Sequence, residues 1–144
     1  MMRVHGTCVA IDGVGVLLRG PSGAGKSDLA LRLIDRGASL VADDQVLLDG
    51  IDGRLVARAP EALFGRIEVR GVGILDVPAV ASAAVGLLVD LVPPEAVERL
   101  PERRRETLAG VTLPVLRLTP FEASAATKVR LAARPSAADI TARY

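Results

Sequence analysis

Eight residues at positions 20–27, Gly-Pro-Ser-Gly-Ala-Gly-Lys-Ser, constrain the fold most strongly. They follow the short apolar run Val14–Leu18, which indicates a buried strand, and apolar residues then recur between Ser27 and Arg36 as on one face of a helix. Glycines let the backbone curl so that several N–H groups point inward, and the helix adds the positive end of its dipole. This strand–loop–helix pattern predicts a P-loop that binds nucleotide phosphates.

The predicted P-loop supplies the residues expected to bind the nucleotide. The residues expected to surround the nucleotide are Gly20, Pro21, Ser22, Gly23, Ala24, Gly25, Lys26 and Ser27. The Lys26 ammonium is expected between the β- and γ-phosphates, and the Ser27 hydroxyl is expected to ligate Mg²⁺. Lys26 is one of only two lysines, so this cation does not come from a lysine-rich composition. The motif therefore predicts ATP and Mg²⁺ as cofactors.

A magnesium–nucleotide site also requires a carboxylate, and two apolar runs that end in an acid compete for the role. One is Leu-Val-Ala-Asp-Asp at 40–44 and the other is Leu-Leu-Val-Asp-Leu at 87–91. The first run follows the predicted helix directly, and in a βαβ unit its strand would end close to the loop, so Asp43 and Asp44 are favoured over Asp90. One of the two adjacent acids could hold the metal while the other accepts a proton from an attacking hydroxyl.

The rest of the chain predicts a single α/β domain, a P-loop-containing mixed sheet with flanking helices, over residues 1–134, with a loose tail at 135–144. Predicted strands lie at 4–11, 14–18, 40–42, 67–71, 86–92 and 113–118, with a hairpin at 46–56. Predicted helices lie at 27–36, 94–105 and 121–133. The run Arg103-Arg104-Arg105 is interpreted as a solvated helix face, with an anion site as the alternative.

Composition limits the partners. Half of the residues are hydrophobic, only 2% are aromatic and the formal net charge is +1, so the core is aliphatic and bulk electrostatics favour neither nucleic acid nor membrane as a partner. The single cysteine, Cys8, lies in an apolar run and is expected to be buried. No apolar stretch is long and uninterrupted enough to span a bilayer. A soluble, cytoplasmic protein is expected.

Several segments together resemble the HPr kinase/phosphorylase family. They are His5-Gly6, residues 20–27, Arg36-Gly37, Val41-Ala42-Asp43-Asp44 and residues 67–74, Ile-Glu-Val-Arg-Gly-Val-Gly-Ile. The resemblance is close over residues 5–76, loose from about 85 to 118 and poor beyond. It implies that only the family's catalytic unit is present, in a short form.

The resemblance also implies an activity. Family members use ATP and Mg²⁺ to phosphorylate a serine of the phosphocarrier protein HPr, in the regulation of carbon or nitrogen metabolism, and many reverse the reaction with inorganic phosphate. By position, it implies Lys26 as the active-site lysine, Asp44 as the base, His5 as the active-site histidine and Arg99 as a further catalytic residue. It implies Ser27 and Glu68 as Mg²⁺ ligands. The family's hexamer implies a homo-oligomer.

The sequence departs from the family's pattern at one loop, and it is also compatible with two other functions. The family's Arg-Pro-Gly-Arg-type loop, which is linked to dephosphorylation, is replaced by Thr119-Pro120-Phe121-Glu122. A P-loop kinase for a small metabolite would share the nucleotide site, with residues 99–105 as its only candidate lid. A regulatory module that binds ATP without catalysis would share it too.

Overall fold

The computed structural model describes residues 1–134, so the predicted tail at 135–144 lies outside the described residues. Two helices are described, α1 (Lys26–Asp35) and α2 (Ala125–Ala132), and neither is long and apolar enough to cross a membrane. Short 3₁₀ turns lie at Glu61–Leu63 and Pro94–Ala96. The described strands are β1 (Met2–His5), β2 (Thr7–Ile11), β3 (Val14–Arg19), β4 (Ser39–Ala42), β5 (Gln45–Ile51), β6 (Arg54–Arg58), β7 (Arg66–Val69), β8 (Gly73–Asp76), β9 (Ala83–Leu91), β10 (Arg104–Leu108) and β11 (Val111–Leu118).

Nine of these strands form one sheet that divides at β9. The main path runs β1-β5-β6-β9-β3-β2-β4. The start of β9, at Ala83 and Ala84, pairs with β6, whereas residues 88–91 pair with β11, which in turn pairs with β10. The remaining strands, β7 and β8, form a separate two-stranded hairpin.

The sheet separates two aliphatic cores. On one face, α1 and α2 bury Leu29, Leu33 and Val129 against residues of β2, β3 and β9. On the other face, Leu17 and Leu88 pack with residues of β5 and β6. Cys8 belongs to this second core and is fully buried, which confirms its predicted placement. Successive side chains of the central strands therefore point into opposite cores, which explains why these strands are buried on both faces.

Strand direction gathers three loops at one edge of the sheet. Strands β3, β9 and β11 are parallel. Strand β4 has the same direction, because it is antiparallel to β2, which is antiparallel to β3. The segments after β3, β4 and β11, at 20–25, 43–44 and 119–124, therefore leave the same edge. The predicted fold class, an α/β mixed sheet with flanking helices, is confirmed.

The predicted helix at 94–105 is wrong. The structure has only a 3₁₀ turn at Pro94–Ala96 and then β10, in which Arg104 and Arg105 pair with Val115 and Pro114. Pro101 disfavours a continuous helix, and the backbone groups of β10 gain a ladder with β11 instead. The three adjacent arginines are exposed, but on a loop and a strand rather than on a helix. The last helix is shorter than predicted and begins at Ala125.

A charged cluster fastens β10 beside the end of β3. The Arg19 guanidinium donates to Asp90 on β9, at 2.8 and 3.2 Å, and to Glu106 on β10, at 2.5 and 2.9 Å. The hydrogen bonds from Arg19 lower the pKa of Glu106, although burial acts in the opposite direction. Arg19 directly precedes the loop at 20–25, so the cluster holds the start of that loop.

We expect Glu106→Gln to lower the free energy of unfolding at neutral pH by about 1 kcal/mol, since the Glu106 carboxylate is partly exposed and screened. The pKa of Glu106 is lower in the folded chain, so its stabilisation is present above the ordinary glutamate pKa of about 4.3 and is lost as the pH falls through the lowered value. Urea denaturation at neutral and acidic pH measures this difference.

The control for this prediction is Glu102→Gln, which removes an exposed carboxylate from the same region. Its effect should be close to zero at both pH values. Equal effects of the two substitutions would show that the cluster contributes nothing specific.

Candidate active site

The loop at residues 20–25 curls at two glycines before α1 begins. Gly23 and Gly25 have φ angles of 82° and 101°, which only glycine adopts readily. The amide of Ala24 donates to the carbonyl of Pro21 at 3.0 Å, and Gly25 is the N-terminal cap of α1. Among the described residues, no side chain caps this helix. Its first amides therefore remain available to an anion.

The Lys26 side chain folds back over the loop. Its Nζ donates to the carbonyl oxygens of Gly20 at 2.6 Å and Pro21 at 3.0 Å, and the residue is only 7% exposed. Burial lowers the pKa of Lys26, while the carboxylates of Asp44 and Asp43 act in the opposite direction. A cation thus lies against the loop, as phosphate binding requires, and two acids lie nearby that could hold a metal ion.

Asp43 is buried and forms the centre of a hydrogen-bond network. Its Oδ1 accepts hydrogen bonds from the hydroxyls of Ser27 and Thr7, both at 2.9 Å. Its Oδ2 accepts one from the backbone amide of Glu68 at 3.2 Å. These bonds satisfy a carboxylate that is 7% exposed, and they join the first turn of α1 to β2 and β7.

Asp44 lies beside this network and pairs with the only histidine. His5 Nε2 donates to Asp44 Oδ1 at 2.9 Å, and both side chains are substantially exposed. The backbone of Asp44 has a φ of 67°, in the left-handed region that aspartate adopts more readily than most residues, and its carbonyl accepts a hydrogen bond from the amide of Gly6. The hydrogen bonds with His5 and Gly6 hold Asp44 beside Asp43.

The predicted metal ligands converge in part. The Ser27 hydroxyl and the Asp43 carboxylate are in direct contact, and Glu68 is joined to Asp43 through its backbone amide while its own side chain is exposed. Among residues 1–134 there is no cluster of three histidine, cysteine or acidic side chains that could hold a metal ion alone. One hydroxyl and one carboxylate do suit Mg²⁺, which keeps waters and takes further ligands from substrate phosphates.

Arg99 and Asp90 lie apart from this network. Asp90, the competing carboxylate, is engaged by Arg19. Arg99 lines a cleft of about 680 Å³ together with Val14 and Gly86, which lie at or near the amino-terminal ends of β3 and β9. The P-loop follows the opposite, carboxyl end of β3. The structure therefore does not bring Arg99 to the loop, and its catalytic role stays a prediction.

Sequence reasoning missed two residues at this edge of the sheet. Thr7 bonds Asp43, and its signal was a polar side chain within the otherwise apolar strand β2. Phe121 touches the P-loop, because a Cβ added to Gly25 would lie 2.9 Å from Phe121 Cζ. It is 71% exposed. The signal for Phe121 was that aromatic residues are rare in this chain.

A strand, a glycine-rich loop that ends in lysine and serine, and a buried acid bonded to that serine define the P-loop class of proteins, whose members bind nucleotide phosphates. Comparison with protein families narrows the class, since the family model described as "HPr Serine kinase C-terminal domain" matches residues 1–122. The match covers most of the chain, so the chain belongs to this family.

Individual relatives agree with this assignment. The chain is 54% identical over 77 residues to the HPr kinase/phosphorylase of Clostridium perfringens strain SM101 and 52% identical over 75 residues to that of Clostridium beijerinckii. These alignments cover 54% and 52% of this chain but only 25% of each relative. The Hpr(Ser) kinase/phosphatase of Coxiella burnetii superposes with a TM-score of 0.85 at 30% identity, over 99% of this chain and 94% of that one.

We expect Gly25→Ala to weaken ATP binding by about tenfold or more, because alanine opposes the φ of 101° and its Cβ would clash with Phe121. Isothermal titration calorimetry measures the affinity. Gly37→Ala is the control, since Gly37 has a φ of 104° with nothing within 4 Å of an added Cβ. Both substitutions should lower the melting temperature, because both place alanine at a positive φ. Equal ATP affinities in the two variants would contradict the assigned role of the loop.

Proposed function

We propose that this chain transfers the γ-phosphoryl group of ATP to a serine of the phosphocarrier protein HPr, with Mg²⁺ as the metal cofactor. The observation that carries the proposal is the pair of adjacent acids beside the P-loop. Asp43 bonds Ser27 of the loop, and Asp44 is held by His5 at 2.9 Å. The substrate comes from the names of the relatives, HPr kinase/phosphorylase and Hpr(Ser) kinase/phosphatase.

In this proposal the phosphates are held by the loop backbone and by Lys26. The amides of residues 20–27 and the start of α1 supply donors and positive potential. The Lys26 ammonium moves from the loop carbonyls to phosphate oxygens. Ser27 and Asp43 would hold Mg²⁺, with Glu68 as a further ligand. When bound, the metal neutralises negative charge on the phosphates.

The transfer step needs a base, and Asp44 fits that role. The serine oxygen attacks the γ-phosphorus, a new O–P bond forms, and the bond to the bridging oxygen of ADP breaks with its electron pair. The serine proton passes to the Asp44 carboxylate. His5 donates to one carboxylate oxygen, which orients Asp44 and leaves the other oxygen free to accept the proton.

An exposed hairpin supports a protein acceptor over a small metabolite. Strand β7 contacts Asp43 through the amide of Glu68. The β7–β8 hairpin presents Val72 and Ile74, which are 68% and 72% exposed. An exposed apolar surface beside a reaction site suits contact with a folded partner. Assembly of the chain as a homo-oligomer and its cytoplasmic location stay predictions.

The test incubates the purified chain with ATP, Mg²⁺ and HPr and measures phosphoserine by mass spectrometry. We expect Asp44→Asn to lower the rate of transfer by ~10²–10⁴-fold, the usual contribution of a general base, with the affinity for ATP little changed. Lys26→Ala should abolish nucleotide use, because the cation that meets the phosphates is lost.

The control for Asp44→Asn is Asp52→Asn. Asp52 has a similarly left-handed backbone, with a φ of 51°, in the turn between β5 and β6. Its substitution makes the same chemical change away from the P-loop and should leave the rate unchanged. Rates within a few-fold of wild type for both Asp44→Asn and Lys26→Ala would defeat the assignment.

The same assay separates the alternative functions. Unmodified HPr together with turnover of a small acceptor would indicate a metabolite kinase. ATP binding without any transfer, unaffected by Asp44→Asn, would indicate a nucleotide-sensing module. Excess inorganic phosphate added to phosphorylated HPr tests the reverse reaction, for which the loop at 119–122 departs from the family's pattern.

A further inference from the structure

An exposed aromatic ring lies against the P-loop. Phe121 is 71% exposed, although the chain has only two phenylalanines, one tyrosine and no tryptophan. A Cβ built on Gly25 would lie 2.9 Å from Phe121 Cζ and 3.1 Å from Pro120 Cγ, so both rings pack over the backbone that begins α1. One edge of Phe121 therefore touches the loop while most of the ring remains open to solvent.

The backbone that carries this ring is fastened to α1. The Arg32 guanidinium donates to the carbonyl oxygens of Pro120 and Glu122, on either side of Phe121. Asp28 pairs with Arg32 at 3.1 Å, and Lys128 pairs with Glu122 at 2.9 Å. An exposed ring on an anchored segment is preorganised, since little backbone freedom is lost when a ligand contacts it.

The position of the segment relates it to the nucleotide rather than to the acceptor. Strands β3 and β11 are both parallel to β9 and flank it, so residues 119–122 leave the sheet at the same edge as the P-loop. Ligands of open α/β sheets bind in the crevice outside the carboxyl ends of such strands. The two acids follow β4, which lies on the other side of β3 from β11, and His5 contacts Asp44 there. The ring thus lies on the side of the loop away from the proposed base.

We propose that Phe121, together with Pro120, is the stacking platform for the nucleobase of the bound nucleotide. The proposal rests on the proposed function and adds the residue that holds the base. With the phosphates in the loop, the nucleoside extends beyond it, and the ring beside Gly25 offers an apolar face there. Every base has a π-face, so this platform accepts purines generally and contributes affinity more than base identity.

The contribution of stacking can be measured by comparing the affinities for ATP and for inorganic triphosphate. Base–aromatic stacking lost on alanine substitution corresponds to roughly 5- to 150-fold in affinity, and the exposure of this ring places the effect at about tenfold. Inorganic triphosphate occupies the phosphate loop but has no base. Phe121→Ala should therefore weaken ATP binding by about tenfold and leave the affinity for triphosphate unchanged.

The experiment is calorimetric titration of ATP and of inorganic triphosphate, each with Mg²⁺, into four proteins. These are the wild type, Phe121→Ala, Phe121→Tyr and Phe64→Ala. Tyrosine retains the ring face and should restore the affinity for ATP. Phe64, the other phenylalanine, is 43% exposed at the turn before β7, so Phe64→Ala should bind both ligands as the wild type does. Thermal melting confirms that each variant is folded.

The outcomes separate this proposal from the proposed function. If Phe121→Ala weakened the binding of ATP and of triphosphate equally, the ring would only support the loop, and the platform proposal would be wrong. The proposal would also be wrong if Phe121→Ala left the affinity for ATP unchanged. A wild type that binds triphosphate as tightly as ATP would overturn the platform while leaving the phosphate site intact. A wild type that binds neither ligand would overturn the proposed function and this inference together.

Discussion

The buried carboxylate of Asp43 joins parts of the chain that are distant in sequence. It accepts hydrogen bonds from Thr7 on β2, from Ser27 at the start of α1 and from the backbone of Glu68 on β7. A buried carboxylate without such donors would be strongly unfavourable, so the three segments are held in one arrangement. The position of the loop's serine relative to the neighbouring acid Asp44 follows from this arrangement.

The division of the sheet at β9 places the remaining parts around the P-loop. One edge of β9 pairs with β3, which leads into the loop, and the end of its other edge pairs with β11, which leads to Pro120 and Phe121. Arg19 bridges β3, β9 and β10 just before the loop begins. The phosphate loop and the aromatic segment are therefore fixed by the same central strand, and the acids approach from the opposite side.

The parts of the site that depend on local pattern were predictable from the sequence. The P-loop carries its own strand, glycines and helix, and the position of Asp43 and Asp44 followed from the connection of β4 to α1. Contacts that depend on strand register were not predictable, and the bond from Thr7 to Asp43 is one of them. The predicted helix at 94–105 is wrong because its charged residues fit a helix face as well as an edge strand; Pro101 argues against the helix, and pairing with β11 makes Arg104 and Arg105 a strand.

The attachment of Lys26 to its own loop has a consequence for selectivity. Two carbonyl oxygens already solvate the ammonium, at 2.6 and 3.0 Å. An incoming anion competes with these carbonyl oxygens for the ammonium. Its binding free energy therefore includes only the difference between the new hydrogen bonds to Lys26 and the hydrogen bonds to carbonyl oxygens that are lost. A singly charged oxyanion gains little by this exchange, whereas a polyphosphate chain that also spans the amides of α1 gains more. In the proposed function, the loop would therefore discriminate by the number of linked phosphates before any base or acceptor is recognised.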